Sequence, residues 1–131
     1  MTLLLSVTIM INCMAHGINP QLVESIIEVE SKFNSSMTGS IGEIGLMQIR
    51  KEYWKGPLNL YESELNVSIG ISMLSDLKRL KPILGKHYYV AWNLGTTGAK
   101  KFNKRKPIKN FPYARKTDLI FNKKVLLAAM N

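Results

Sequence analysis

Glu30 is a carboxylic acid on the apolar side of a predicted helix, where it could serve as a general acid. Asn19 is a favourable N-cap and Pro20 suits the first helical position, so the sequence predicts a helix that ends near Ser31. At about 100° per residue, the apolar stripe of this helix consists of Leu22, Val23, Ile26, Ile27 and Phe33. Glu30 shares that side because it follows Ile26 by one helical turn.

An apolar environment would explain how Glu30 could deliver a proton near neutral pH. Apolar neighbours disfavour the charged carboxylate and raise its pKa, which suits a general acid. Glu24 and Glu28 are predicted to point away from the stripe, as ordinary solvated acids do. The alternative for Glu30 is a helix-end glutamate that reaches solvent, and periodicity alone leaves both interpretations open.

Five short segments with chemistry-bearing residues follow one another along the chain. They are Glu28-Val29-Glu30-Ser31, Gly45-Leu46-Met47-Gln48, Asn66-Val67-Ser68-Ile69-Gly70 with Leu74, Ala91-Trp92-Asn93-Leu94-Gly95 and Phe111-Pro112-Tyr113-Ala114. Their order, and the eighteen residues from Glu30 to Gln48, resemble the soluble lytic transglycosylases, the peptidoglycan-cleaving relatives of goose-type lysozyme. The resemblance extends over residues 16–116, which is most of the chain.

The resemblance implies a reaction that needs one carboxylic acid. Glu30 would protonate the leaving oxygen of the β-1,4 bond after N-acetylmuramic acid, while the 2-acetamido group of that sugar stabilises the developing cation. Glu30 would then accept a proton from the C6 hydroxyl, which closes a 1,6-anhydro ring. Such substrate-assisted chemistry departs from the usual two-carboxylate scheme and requires no metal and no cofactor.

The resemblance also assigns supporting roles to residues of the first two motifs. Met47 and Gln48 would line the sugar subsites, with the Gln48 amide bonding to hydroxyls or to an acetamido group. The alternative for both is a buried turn. Ser31 would help to orient the acid, and its alternative is a surface serine.

The later motifs contribute three further candidate substrate-binding residues. Asn93 would contact the saccharide or hold the acid in place, whereas its alternative is a helix C-cap. Tyr113 would bring its hydroxyl near Glu30 or the acetamido group, with core packing as the alternative. Trp92 stands where the family usually has tyrosine, which removes a hydroxyl and keeps a stacking surface.

Glu43 is the most consequential departure from the family pattern. Many transglycosylases carry no acid two residues before the glycine that corresponds to Gly45, although secretion-system members and animal-type lysozymes often have an aspartate there. A second carboxylate could stabilise positive charge, act as nucleophile or position water, which would favour hydrolysis by a muramidase. A solvent-exposed loop acid is the alternative. Gly39 and Ser40 replace the Ser-Pro pair of many members, so a loop hydroxyl contact is lost or moved.

The chain is predicted to form one mostly α, lysozyme-like domain over residues 1–131. A small β-hairpin or an irregular loop is expected after the catalytic helix, because residues 34–42 are polar and rich in glycine. Further helices are predicted over residues 62–80, 86–94, 97–103 and 110–130. Gly70, inside the first of these, is expected to permit close packing.

Residues 1–15 admit two interpretations. They are apolar enough for a signal-peptide core, yet no Lys or Arg precedes Lys32, so the positively charged start of a signal peptide is missing. A first core helix over residues 3–15, ending at Gly17, is favoured. Cys13 is the only cysteine, which excludes an intramolecular disulfide and a paired-cysteine metal site and predicts a small core residue.

The net charge of +9 is unevenly distributed and suggests an anionic partner. Residues 77–131 carry fourteen basic residues and one acidic residue, whereas residues 1–76 carry four basic and eight acidic residues. Nucleic acid is not favoured, because residues 100–106 contain one aromatic and no base-reading motif.

The resemblance to the transglycosylases implies peptidoglycan as the partner, in the periplasm or cell-wall space, and the basic half fits such an anionic polymer without specifying it. No stable membrane span is expected. Delivery by a phage virion or by a secretion or conjugation machine is an open expectation. A non-catalytic wall-binding or assembly protein is the alternative from another class.

Overall fold

The computed structural model describes residues 1–84, 86, 88–92 and 112–130. These residues are mostly helical, which confirms the predicted fold class, and they contain five α-helices and two short 3-10 helices. Internal contacts divide the chain into two compact units, Met1–Ser72 and Met73–Asn131. The predicted single domain over residues 1–131 stays a prediction.

Helix α1, Leu3–His16, covers the residues predicted as a first core helix, and the choice of a core helix over a signal peptide stays a prediction. The Thr2 hydroxyl accepts the Leu5 N–H at its start, and Gly17 ends it with a left-handed backbone, φ 64°. One face is buried through Leu5, Ile9 and Cys13. The opposite face exposes six apolar side chains, namely Leu3, Leu4, Val7, Met10, Ile11 and Met14. Within the described residues, no helix combines the length and the hydropathy that a bilayer crossing requires.

Helix α2, Pro20–Ser31, packs against α1 and carries the candidate acid. The Asn19 side chain accepts the Gln21 N–H at the N-cap, and Pro20 occupies the first turn, both as predicted. Four members of the predicted stripe are buried, namely Leu22, Val23, Ile26 and Ile27. Burial of this stripe fixes the rotation of α2, because turning the helix would expose these side chains to water.

Helix α3, Ser63–Arg79, confirms the helix predicted over residues 62–80. An irregular segment connects α2 to α3. In place of a regular hairpin, it contains isolated antiparallel bridges from Ile44 to Thr38 and to Ile49. A 3-10 helix, Lys51–Tyr53, follows. The irregular loop, one of the two predicted forms, is therefore the one observed.

The second unit contains the end of α3, α4 at Lys81–Leu84 and α5 at Pro112–Met130. Helix α4 was not predicted; Pro82 lacks an N–H and therefore suits the first turn of a new helix better than the continuation of α3. A 3-10 helix, Tyr88–Val90, replaces the beginning of the α-helix predicted over residues 86–94. Helix α5 confirms the predicted terminal helix, and the helix predicted over residues 97–103 lies outside the described residues.

Candidate active site

Glu30 occupies the penultimate position of α2. Val23, Ile26 and Ile27 are completely buried, whereas Glu30 is only partly exposed. Glu24 and Glu28, predicted to point away from the apolar stripe, are partly exposed as well, so burial does not distinguish Glu30 from them. The side predicted for Glu30 and its catalytic role stay predictions.

Ser31 joins the end of α2 to the Gly-Leu-Met-Gln turn. Its hydroxyl lies 2.8 Å from the Leu46 carbonyl oxygen and 3.1 Å from that of Ile27, and the residue is 1% exposed. A hydroxyl donates one proton, and the Leu46 carbonyl oxygen, which is closer, is the better placed of the two acceptors. The structure therefore places Ser31 beneath the site, where it holds the two motifs together, and not on the surface.

Three residues other than glycine adopt a left-handed backbone in the described part of the chain, and each lies within or directly after one of these motifs. Lys32 and Phe33 follow the Glu-Ser pair, with φ 52° and 61°, and Gln48 has φ 52°. Such conformations cost on the order of 1–3 kcal/mol each, persist where the surrounding structure over-determines them, and cluster at active sites. The backbone is therefore left-handed directly after Ser31 and again at Gln48.

The Gln48 side chain closes the loop that it ends. Its Nε2 donates to the Gly45 carbonyl at 2.9 Å and to the Met37 carbonyl at 3.2 Å. Both N–H groups of the amide are thereby used, so the amide oxygen must point away from these two carbonyls. Gln48 is partly exposed and remains able to accept hydrogen bonds from a ligand.

Asn66 of α3 holds the same loop from below. Its Oδ1 accepts the Met47 N–H at 2.9 Å, while its Nδ2 donates to the carbonyls of Ile44 and Leu60 at 2.9 and 2.8 Å. The side chain is completely buried. Asn66 belongs to a motif recognised in the sequence, but no role was predicted for it; the signal was a polar amide on the apolar side of a helix.

Met47 packs against Gly70, which belongs to the same α3 motif as Asn66. A Cβ on Gly70 would collide with the Met47 sulfur, so the predicted close approach at Gly70 is confirmed. Met47 is 0% exposed. This burial corresponds to the buried-turn alternative for Met47, and its predicted contact with a sugar stays a prediction.

Glu43 is folded back over its own loop. Its Oε1 accepts the Ile41 N–H at 2.8 Å, and its backbone carbonyl accepts the Gly39 N–H at 2.7 Å. The residue is partly exposed. One carboxylate oxygen thus stabilises the turn, and the other is available for a second role.

The remaining predicted site residues belong to the second unit. Trp92 is helical and partly exposed, and Tyr113 lies in the first turn of α5, also partly exposed. Asn93 lies outside the described residues. The predicted contacts of these three residues with a saccharide stay predictions.

The site of the first unit is a Glu-Ser helix end attached to a Gly-Leu-Met-Gln turn, and the turn is anchored to a third helix by an asparagine. This chain belongs to the Transglycosylase SLT domain family, whose pattern matches residues 9–113. The match spans the Glu30 helix, the loop and α3, and it confirms the resemblance seen in the motifs.

Two relatives come from strains of Klebsiella pneumoniae, and each is described as an endo-type membrane-bound lytic murein transglycosylase A. Each is 34% identical to this chain over 77 residues, covering 49% of this chain and 38% of the relative. The chain therefore spans well under half the length of the relatives that it matches.

Proposed function

We propose that this chain is a lytic transglycosylase that cleaves peptidoglycan glycan strands, with Glu30 as general acid and base. The hydrogen bond from Ser31 to Leu46 carries the proposal, because it joins the helix end that bears Glu30 to the turn that bears Gln48. Membership of the transglycosylase family supplies the substrate class.

In the proposed reaction, Glu30 donates its proton to the glycosidic oxygen as the bond to the N-acetylmuramic acid C1 breaks. The acetamido oxygen of the same sugar supports the cationic carbon. The C6 hydroxyl then attacks C1 and releases its proton to the Glu30 carboxylate, so the enzyme returns to its starting state. A chemically competent acid of this kind contributes about 10²–10⁴-fold to rate.

The partial exposure of Glu30 suits both halves of this cycle. Its carboxyl must be protonated when the leaving oxygen arrives and ionised when the C6 hydroxyl releases its proton. Partial exposure leaves the carboxyl accessible to substrate. Because the Ser31 side chain holds the adjacent backbone, the carboxyl starts from a defined position.

The direct test is digestion of purified sacculi by wild type and by Glu30→Gln, with products analysed by mass spectrometry. We expect anhydro-muropeptides from wild type and a loss of about 10²-fold or more from the variant. Glu28→Gln, which makes the same change on the same helix, is the matched control and should retain activity. Full activity of Glu30→Gln would refute the proposed mechanism.

A muramidase that uses Glu30 and Glu43 is the second candidate, because one Glu43 oxygen is not committed to the Ile41 N–H. Digestion in ¹⁸O-labelled water separates the two. Hydrolysis places the label at the new reducing end, whereas 1,6-anhydro closure excludes it. A non-catalytic wall-binding protein would bind sacculi and release neither product.

The proposed place of action is the periplasm or cell-wall space, where the glycan substrate lies. The Klebsiella relatives are described as membrane-bound. Delivery of this chain by a phage virion or by a secretion or conjugation machine is a finer proposal. Detection of the chain in purified virions or secretion complexes by mass spectrometry would test it.

A further inference from the structure

The Glu43 carboxylate and the Gln48 amide meet above Gly39. A Cβ placed on Gly39 would lie 2.5 Å from Glu43 Oε2 and 2.7 Å from Gln48 Oε1. Since both oxygens lie that close to one point, they are within about 5 Å of each other. The absence of a side chain at residue 39 makes this approach possible.

Both of these oxygens are acceptors that lack a donor from the described residues. Glu43 uses Oε1 for the Ile41 N–H, and Oε2 has no partner within the described ranges. The orientation of Gln48 is fixed, because both of its N–H groups donate to carbonyls, so Oε1 faces the carboxylate. Two neighbouring acceptors without a donor repel each other, and a group that donates to both would relieve this repulsion.

The charge of Glu43 is also not compensated by an ion pair with any residue that the structure describes. The ion pair between Arg79 and Asp76 lies far along the chain. Eighteen Lys and Arg residues were available to the sequence, so cations are not scarce. The cradle formed by Glu43, Gln48 and Gly39, here called the acceptor cradle, therefore suits a ligand that is both a donor and a cation.

We propose that the acceptor cradle binds a primary ammonium group of the peptidoglycan substrate. An ammonium has three N–H donors, enough for the carboxylate and the amide oxygen together, and it neutralises the charge. A sugar hydroxyl or an acetamido N–H has one donor and satisfies only one of the two acceptors. The inference rests on the proposed function for the identity of the substrate.

Two parts of peptidoglycan carry such an amine: N-deacetylated glucosamine in the glycan and the side-chain amine of a stem peptide. Binding is measured by calorimetry with the Glu30→Gln variant, so that cleavage does not interfere. The first arm compares stem-free strands that are fully acetylated or partly deacetylated. The second compares acetylated strands whose stem amines are free or blocked. We expect about tenfold tighter binding of the amine-bearing partner in one arm.

Glu43→Gln in the same background tests the cradle itself. The new amide can still accept the Ile41 N–H, and its own N–H₂ can donate to Gln48, so we expect a folded protein without amine preference. Gly39→Ala, which pushes the two oxygens apart, should also abolish the preference. Glu52→Gln removes the same charge from an exposed residue and should leave the preference unchanged.

Equal binding in both arms, or a preference that survives both cradle variants, would overturn the inference. Because these measurements need no turnover, they are separate from the test of the proposed function. Loss of amine preference with intact release of anhydro products would leave the transglycosylase proposal standing. Amine preference without lytic activity would support the cradle and refute the catalytic proposal.

Discussion

Replacing Asn66 by alanine should remove the hydrogen bonds that hold the Gly-Leu-Met-Gln turn against α3 and should destabilise the fold. The change removes three hydrogen bonds of 2.8–2.9 Å and leaves a buried N–H and two buried carbonyls without their partner. At about 1 kcal/mol for each bond, the loss is roughly 3 kcal/mol. The higher helix propensity of alanine returns up to about 0.7 kcal/mol, so the net loss is expected near 2–3 kcal/mol.

Urea unfolding followed by circular dichroism gives the free energy of unfolding for this comparison. Asn122→Ala is the matched control, since Asn122 is exposed on α5 and the same substitution there changes propensity alone. It should be neutral or slightly stabilising. If Asn66→Ala and Asn122→Ala differ by less than about 0.5 kcal/mol, the inferred role of the buried amide is wrong.

Asn66→Asp separates hydrogen bonding from shape. The carboxylate keeps an acceptor for the Met47 N–H but presents a second acceptor to the carbonyls of Ile44 and Leu60. Protonation restores one donor, so the folded state raises the pKa of this carboxyl. The loss in free energy of unfolding of Asn66→Asp relative to wild type should be smallest below about pH 4 and grow as the pH rises. A pH-independent defect would contradict this reasoning.

Two further predictions concern Gly45 and Cys13. Gly45→Ala should lower the free energy of unfolding by about 1–3 kcal/mol more than Gly42→Ala does. Both glycines have positive φ, but only a Cβ at Gly45 would meet Asn66, at 2.5 Å, and urea unfolding of both variants checks this. Burial, with the Glu24 charge, raises the pKa of the Cys13 thiol from 9.0 to about 11. The folded state therefore keeps this proton to a higher pH than the unfolded state does. The free energy of unfolding should fall between pH 9 and 11 by more in wild type than in Cys13→Ala.

Helix boundaries were predictable because their signals are local. Asn19, Pro20 and Gly17 act through their own backbone and nearest turn, and each occupies the predicted capping position. The 3-10 helix at Tyr88–Val90 and the short α4 were missed. At Tyr88–Val90 the competing helix types differ by one hydrogen-bond register, which apolar periodicity does not distinguish. Helix α4 was missed because the prediction did not place Pro82 in the first turn of a new helix.

The site was only partly predictable, because its parts meet through contacts between distant residues. The spacing of Glu30 and Gln48 indicated the family, but nothing local shows that Ser31 donates to Leu46. The three bonds of Asn66 likewise depend on how α3 packs. The position of Glu43 over Gly39 depends on the shape of the loop, which periodicity does not describe.

The fit of Met47 over Gly70 constrains how these two positions can vary during evolution. Enlarging residue 70 alone would drive a side chain into the Met47 sulfur, and shrinking residue 47 alone would leave a cavity in a fully buried site. A larger residue at 70 together with a smaller one at 47 preserves the volume. Relatives of this chain should therefore exchange bulk between the two positions, and substitutions at either one should depend on the residue at the other.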